Sequence, residues 1–156
     1  MKALQLLLAV ALGAIFVYAS VEKIADPTGF ARIVYHYQVI GPSLRLGFAP
    51  ANAVAVALPW IEALAGTLLI VGLWRREAAF VAALLLVAFL AAAGSALARG
   101  IDIENCGCFT VGGEGRRAGW RLLAEDGAML AAALFVLAAP GRDHLRDRAA
   151  AAASAR

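Results

Sequence analysis

Charge is scarce in this sequence. Asp, Glu, Lys and Arg make up 16% of its 156 residues, while hydrophobic residues make up 63%. A soluble domain carries about a quarter charged and about half apolar residues, so the shortfall argues against one and for long segments facing lipid. Strand-period alternation is also missing, which argues against a membrane β-barrel. No internal repeat is evident, and the nested repeats of large transporters need more spans than this length supplies. The net charge of +3 comes from basic residues that flank the apolar segments. They form no single patch and no nucleic-acid motif accompanies them, so nucleic acid is excluded as a partner. Anionic lipid headgroups fit better. Alanine and arginine prevail over isoleucine and lysine, a bias of GC-rich bacterial genomes.

What is present is apolar sequence in span-sized lengths. A helix crossing the hydrocarbon core needs roughly 20 apolar residues, and four stretches qualify, at about residues 3–20, 51–74, 78–97 and 122–139. Backbone groups in lipid must be bonded within their own segment, so these are helices. The first also reads as a cleavable signal sequence, with its basic start and Val17, Tyr18 and Ala19, but it is long for that role. Arg75, Arg76 and Glu77 form a tight turn that folds the second and third spans into an antiparallel hairpin. Asp26 followed by Pro27 is a helix start. From there Phe30, Ile33, Val34 and Tyr37 share one apolar face, with Arg32 and His36 off it. This predicts a short amphipathic helix in the headgroup region, stopped near Gly41 and Pro42. Tyr35, Tyr37, Trp60 and Trp74 are available for the interface or the core. The fold expected is all-α: a four-transmembrane-helix bundle over residues 1–141, with an amphipathic interfacial helix between helices 1 and 2. A charged, Ala-rich tail follows over 142–156.

Four spans put both termini on one side. Each side then carries seven of the 14 basic residues, so the positive-inside rule gives a tie. The cysteines decide instead. Cys106 and Cys108 follow the third span, opposite the termini, and disulfides persist in the periplasm but not in the cytosol. A redox role for the pair sets the termini in the cytoplasm and the Cys106 loop in the periplasm of a bacterial inner membrane.

Only Gly107 separates the two thiols, so the backbone can bend to bring the sulfurs together. A disulfide across one residue staples almost nothing, and strain makes such a bond more reducible. Thiol–disulfide exchange is therefore the better use of the pair. Asp102 and Glu104 would disfavour the thiolates, and Arg99, Arg116 and Arg117 would oppose them. Two other readings stay open: unreactive reduced thiols, and a soft-metal site. His36 and His144 are the only histidines, and the expected topology puts His144 on the wrong side to complete four ligands. No resident metal is expected. Glu62, near the middle of the second span, is the other candidate. A mid-membrane carboxylate usually faces the bundle interior, either as a polar contact between helices or as a proton relay. Lys23 and Arg99 are its candidate partners, both distant in depth. Pro59 should kink the helix beside it. Glu125 and Asp126 read as favourable charges at a helix N-terminus near the interface. Gly66, Gly72 and Gly94 read as close-packing positions.

These motifs resemble the DoxX-like superfamily, and within it the MauE type of membrane protein. The matching runs are Glu22, Lys23, Ile24, Ala25, Asp26, Pro27 after the first span, and Leu58, Pro59, Trp60, Ile61, Glu62 with Gly66 in the second. A third run has Arg99, Gly100, Ile101, Asp102 leading to Cys106, Gly107, Cys108, Phe109. The resemblance implies a four-helix membrane protein serving thiol chemistry outside the cytoplasm. It implies a periplasmic thioredoxin-like partner, and a client such as the disulfide-rich small subunit of methylamine dehydrogenase. The family motif commonly continues with glycine after the phenylalanine; here Thr110 and Val111 precede Gly112 and Gly113, which leaves the client open. The function expected is a membrane thiol–disulfide relay or maturation factor. The alternative is a non-redox scaffold or small transporter subunit. The residues fix no cofactor. A quinone is compatible with the relay, although quinone-coupled thiol oxidases usually shuttle electrons through a second cysteine pair, which this chain lacks.

Overall fold

A computed structural model of the chain describes residues 2–39, 49–101, 106 and 119–138. Among them are five helices and no strand: α1 (Lys2–Ala25), α2 (Pro27–His36), α3 (Ala49–Val71), α4 (Arg75–Ala98) and α5 (Trp120–Ala138). Leucine and alanine, both strong helix formers, dominate α1 and α4. The helices α1, α3 and α4 are long and apolar enough to cross a membrane. The expected fourth span, α5, is 19 residues long but carries Arg121, Glu125 and Asp126 in its first two turns, which takes it below that standard.

The helices are apolar outside as well as inside. Only 33%, 28% and 28% of the most hydrophobic windows of α1, α3 and α4 are buried. Leu7, Trp60, Leu64, Val71 and Leu84 are all more than half exposed. An outward apolar surface this extensive is what lipid demands and water penalises. The chain is a multi-pass membrane protein.

Inside, α1 packs chiefly on α3, and α4 on α5. The core is built from Ala9, Leu12, Phe16, Leu69, Ala78, Ala79, Ala82, Ala83, Leu86, Ala133 and Val136. Small side chains let the helix axes approach closely. The tightest crossing joins Gly13 to Gly66: a Cβ on Gly13 would lie 2.5 Å from the Gly66 carbonyl oxygen, and one on Gly66 2.7 Å from that of Gly13. Gly66 therefore serves the close packing expected of it, with Gly13 as its counterpart. Gly94 meets nothing within 4 Å. Gly72 belongs to a turn, at φ +81°.

That turn lies three residues earlier than expected. α3 ends at Val71, and Gly72 and Trp74 both take left-handed conformations. Arg75, Arg76 and Glu77 form the first turn of α4 instead, where Glu77 suits the positive end of the helix dipole. The antiparallel hairpin is kept. α1 runs through Glu22 and Lys23 to Ala25, five residues past the apolar stretch. α2 starts where expected: Asp26 Oδ1 accepts from Gly29 N at 2.9 Å and from Thr28 Oγ1 at 2.8 Å, with Pro27 at the first helical position. Phe30 and Tyr37 are buried, Ile33 and Val34 half-buried, and Arg32 and His36 exposed. Phe30, Ala31 and Val34 meet Ala55 and Leu58 of α3, while Ile33 and Tyr37 pack with Ala93 and Ala96 of α4. Gly41, Pro42 and the 142–156 tail lie outside the described residues.

Candidate functional site

Gln5 Nε2 lies 3.5 Å from Val136 O, so α1 begins and α5 ends at one end of the bundle. At the other end α1 finishes, α2 sits, α3 begins, α4 leads toward Cys106 and α5 starts. The chemistry-bearing side chains collect there.

Lys23 and Glu62 form one ion pair. Lys23 Nζ donates to Oε1 at 2.9 Å and to Oε2 at 2.7 Å, and the two side chains are 6% and 13% exposed. Of the two expected partners, Lys23 reaches Glu62 and Arg99 does not. The depth objection fails on helix geometry. Taking the Gly13–Gly66 crossing as the origin, Lys23 lies about 15 Å and Glu62 about 6 Å toward the same end, at 1.5 Å per residue. The remaining gap of about 9 Å closes because side chains lean toward their own helix N-terminus. In antiparallel α1 and α3 that lean brings the two heads together. The Lys23 ammonium also sits 5.3 Å from the centroid of the Phe30 ring.

Arg99 has a different task. Its guanidinium donates to the Tyr37 carbonyl at 2.7 Å, the Gln38 carbonyl at 3.2 Å and the Ser95 carbonyl at 3.1 Å. It thereby caps the C-terminal end of α2, where carbonyls lack helix partners and a cation is favoured.

Cys106 is 2% exposed. The Tyr37 hydroxyl donates to its backbone carbonyl at 3.0 Å across 69 residues of sequence. The Tyr37 ring packs edge-on against Phe89, centroids 6.1 Å apart. Burial pushes the Tyr37 phenol well above its ordinary range, and the Asp126 carboxylate adds to the effect. The hydroxyl therefore keeps its proton, and so its donor role, at every physiological pH. Among the described residues no cysteine is free. Cys108, Asp102, Glu104, Arg116 and Arg117 lie outside the described residues.

The two acidic residues of α5 part company. Glu125 pairs with Arg121 at 3.1 Å on an exposed surface, in keeping with a simple charge placement. Asp126, one residue on, is 3% exposed and turned inward. It lines a cavity of about 290 Å³ together with Lys23, Glu62, Tyr37 and Cys106. The remaining described wall is apolar and includes Phe16, Phe30, Leu58, Phe89 and Met129. Sequence reasoning missed Tyr37 as the anchor of Cys106 and Asp126 as a cavity residue. The one available signal for Tyr37 was its place on the apolar face of α2.

A cysteine held by its backbone, a buried ion pair and an inward carboxylate thus surround one apolar cavity. The family comparison bears on the same residues, since the family model of the methylamine utilisation protein MauE matches residues 1–139. The chain belongs to the MauE family. No curated protein and no solved structure matches it. The family match spans all five helices and the Cys106 segment. The chain is thus a membrane protein associated with methylamine utilisation.

Proposed function

We propose that this MauE-family chain is a membrane thiol–disulfide relay that supports disulfide formation in a periplasmic client, with Cys106 and Cys108 as the redox pair. The observation that carries the reading is the state of Cys106. It is buried against the cavity, its backbone is fastened by Tyr37, and it is disulfide-bonded. Cys108 is the only other cysteine in the sequence.

In this reading α5 completes a four-span bundle in the bacterial inner membrane. Its apolar residues, Gly127 to Ala138, pack on α4 and α1, and Arg121 and Glu125 stay at the headgroup level. The termini face the cytoplasm, and the Cys106 loop faces the periplasm, where disulfides persist.

The exchange follows from the burial. A partner thiolate, carried by a periplasmic protein of the thioredoxin kind, cannot reach a sulfur that is closed off, so it attacks Cys108. The Cys106–Cys108 bond breaks, Cys106 leaves with the electron pair, and a mixed disulfide joins the partner to Cys108. The partner's second thiolate then attacks its own first sulfur and expels Cys108. The partner dithiol has become a disulfide, and two electrons and two protons rest on Cys106 and Cys108. The partner passes the bond to its client; the small subunit of methylamine dehydrogenase is the client the family association favours.

Trapping tests this. Cys106→Ser leaves Cys108 to capture the partner, so membranes carrying it should yield a thioredoxin-fold protein disulfide-linked to the chain. Cys108→Ser should yield little or none. Capture by neither variant, with both native thiols staying reduced in an oxidising glutathione buffer, would leave the non-redox scaffold in its place.

A further inference from the structure

A relay that gives away a disulfide is left with a dithiol and must pass two electrons on. With only two cysteines in the chain, there is no second pair to carry them, so the acceptor must come to the pair itself. Cys106 stands on the wall of the cavity.

We propose that this cavity holds the ring of a membrane quinone, which reoxidises the Cys106 and Cys108 dithiol. The proposal rests on the relay reading above and names its electron acceptor. In the step, the two S–H bonds break and one S–S bond forms. The two electrons and two protons go to the quinone, whose carbonyl oxygens become the hydroxyls of a quinol.

Size, lining and access all fit. At about 290 Å³, the space lies near the lower end of ligand pockets, roughly 300–1,000 Å³. It takes one substituted ring and leaves an isoprenoid tail outside. The wall offers flat apolar surface, with Phe16, Phe30 and Phe89 among its residues, and few polar groups. A quinone asks for this combination, since its ring is apolar and its two oxygens accept hydrogen bonds. Lys23 supplies a donor: an ammonium has three N–H bonds, and Glu62 takes two of them. Glu62 holds the ammonium in place without using its full capacity. Exposed Ala88, in the middle of α4, also lines the cavity. The space therefore opens sideways at the level of a spanning helix, where a lipid-soluble molecule arrives from the bilayer.

The experiment uses the full chain in nanodiscs, reduced and freed of reductant, and decylubiquinone as the probe. Its fully substituted ring resists direct addition of thiols. Quinone loss by ultraviolet absorbance and thiol loss by mass-tagging maleimide should proceed together, one quinone per chain. Ala88→Trp at the opening and Ala92→Phe on the wall should each slow this reaction at least tenfold more than they slow oxidation by oxidised glutathione. Should glutathione close the pair while the quinone does not, or should both filled variants react with quinone at the native rate, the quinone site is overturned and the relay stands. Should neither oxidant close the pair, the relay itself falls, and the quinone site with it.

Discussion

Removing one member of the Lys23–Glu62 pair is the most informative single perturbation of this bundle, because the magnitude depends on where the pair sits. Both contacts are short, 2.7 and 2.9 Å, and the side chains are 6% and 13% exposed. A solvated pair contributes about 0–1 kcal/mol. A buried one, broken from one side, costs about 3–5 kcal/mol, since the remaining charge stays in a poorly polarisable place without its counter-charge. The low exposure decides for the second figure. Lys23→Met and Glu62→Leu should therefore each destabilise the bundle by about 3–5 kcal/mol. The double variant replaces the pair by apolar groups of similar volume and should fall close to the native value. With the double variant near native, the coupling in the double-mutant cycle should approach the sum of the two single losses, about 6–10 kcal/mol. Unfolding in mixed micelles of rising dodecyl sulfate fraction, followed by far-ultraviolet circular dichroism, measures all four chains. Single losses below about 1 kcal/mol would refute the reasoning, because they would mean that water in the cavity screens the pair as it does at a surface.

Three further outcomes can be read with simple variants. Gly66→Ala places a methyl 2.7 Å from the Gly13 carbonyl oxygen and 3.0 Å from Phe16 Cβ, so the same micelle assay should show a loss of about 1–3 kcal/mol from overpacking. Gly94→Ala meets nothing within 4 Å and should gain up to about 1 kcal/mol from helix propensity. At Asp26, the Gly29 N–H and then the Thr28 hydroxyl hold the carboxyl below its ordinary range. A depressed folded-state value means that the cap's contribution is present above the unfolded value, about 4, and is lost as pH falls through the folded one. Amide exchange at Thr28 to Phe30, corrected for intrinsic rate, should rise on acidification in the native chain and stay flat in Asp26→Asn. A pH-independent native chain would remove the carboxylate from the cap.

Local features of this fold were legible in the sequence, and relative placements were not. α2 was readable because its start lies in two adjacent residues, Asp26 and Pro27, and its face in an i, i+3, i+4, i+7 pattern. The long helices were readable from length and composition alone. Their rotation was not: α1, α3 and α4 are apolar on every side, so periodicity carries no sign of which face turns inward. On α5, Glu125 and Asp126 looked alike as adjacent acids near the helix start, although Asp126 lines the cavity and Glu125 pairs with Arg121 on an exposed surface. The hairpin turn was misplaced because Arg75 and Arg76 look like a loop, whereas the break comes from Gly72 and Trp74, whose left-handed conformations only the fold reveals. Tyr37 and Cys106 stand 69 residues apart, and no local pattern links them. Cys106, Cys108 and Glu62 were singled out because thiols are rare in this chain and a mid-span carboxylate is costly. Those arguments mark a residue as notable without saying what it faces.

The two ends of the bundle differ in a way that bears on occupancy. Around Ala9, Ala79, Ala82 and Ala133, each 0% exposed, the helices touch through small side chains and leave little room. Toward the Cys106 end the same helices border about 290 Å³ of space. The wall of that space bears on the quinone proposed for it. An acyl chain would satisfy Phe16, Phe30 and Phe89 but leave the Lys23–Glu62 pair and Asp126 against hydrocarbon. Water would satisfy the charges but wet the aromatic rings. A flat ring with oxygens at its edge meets both surfaces, and Cys106 stands beside it.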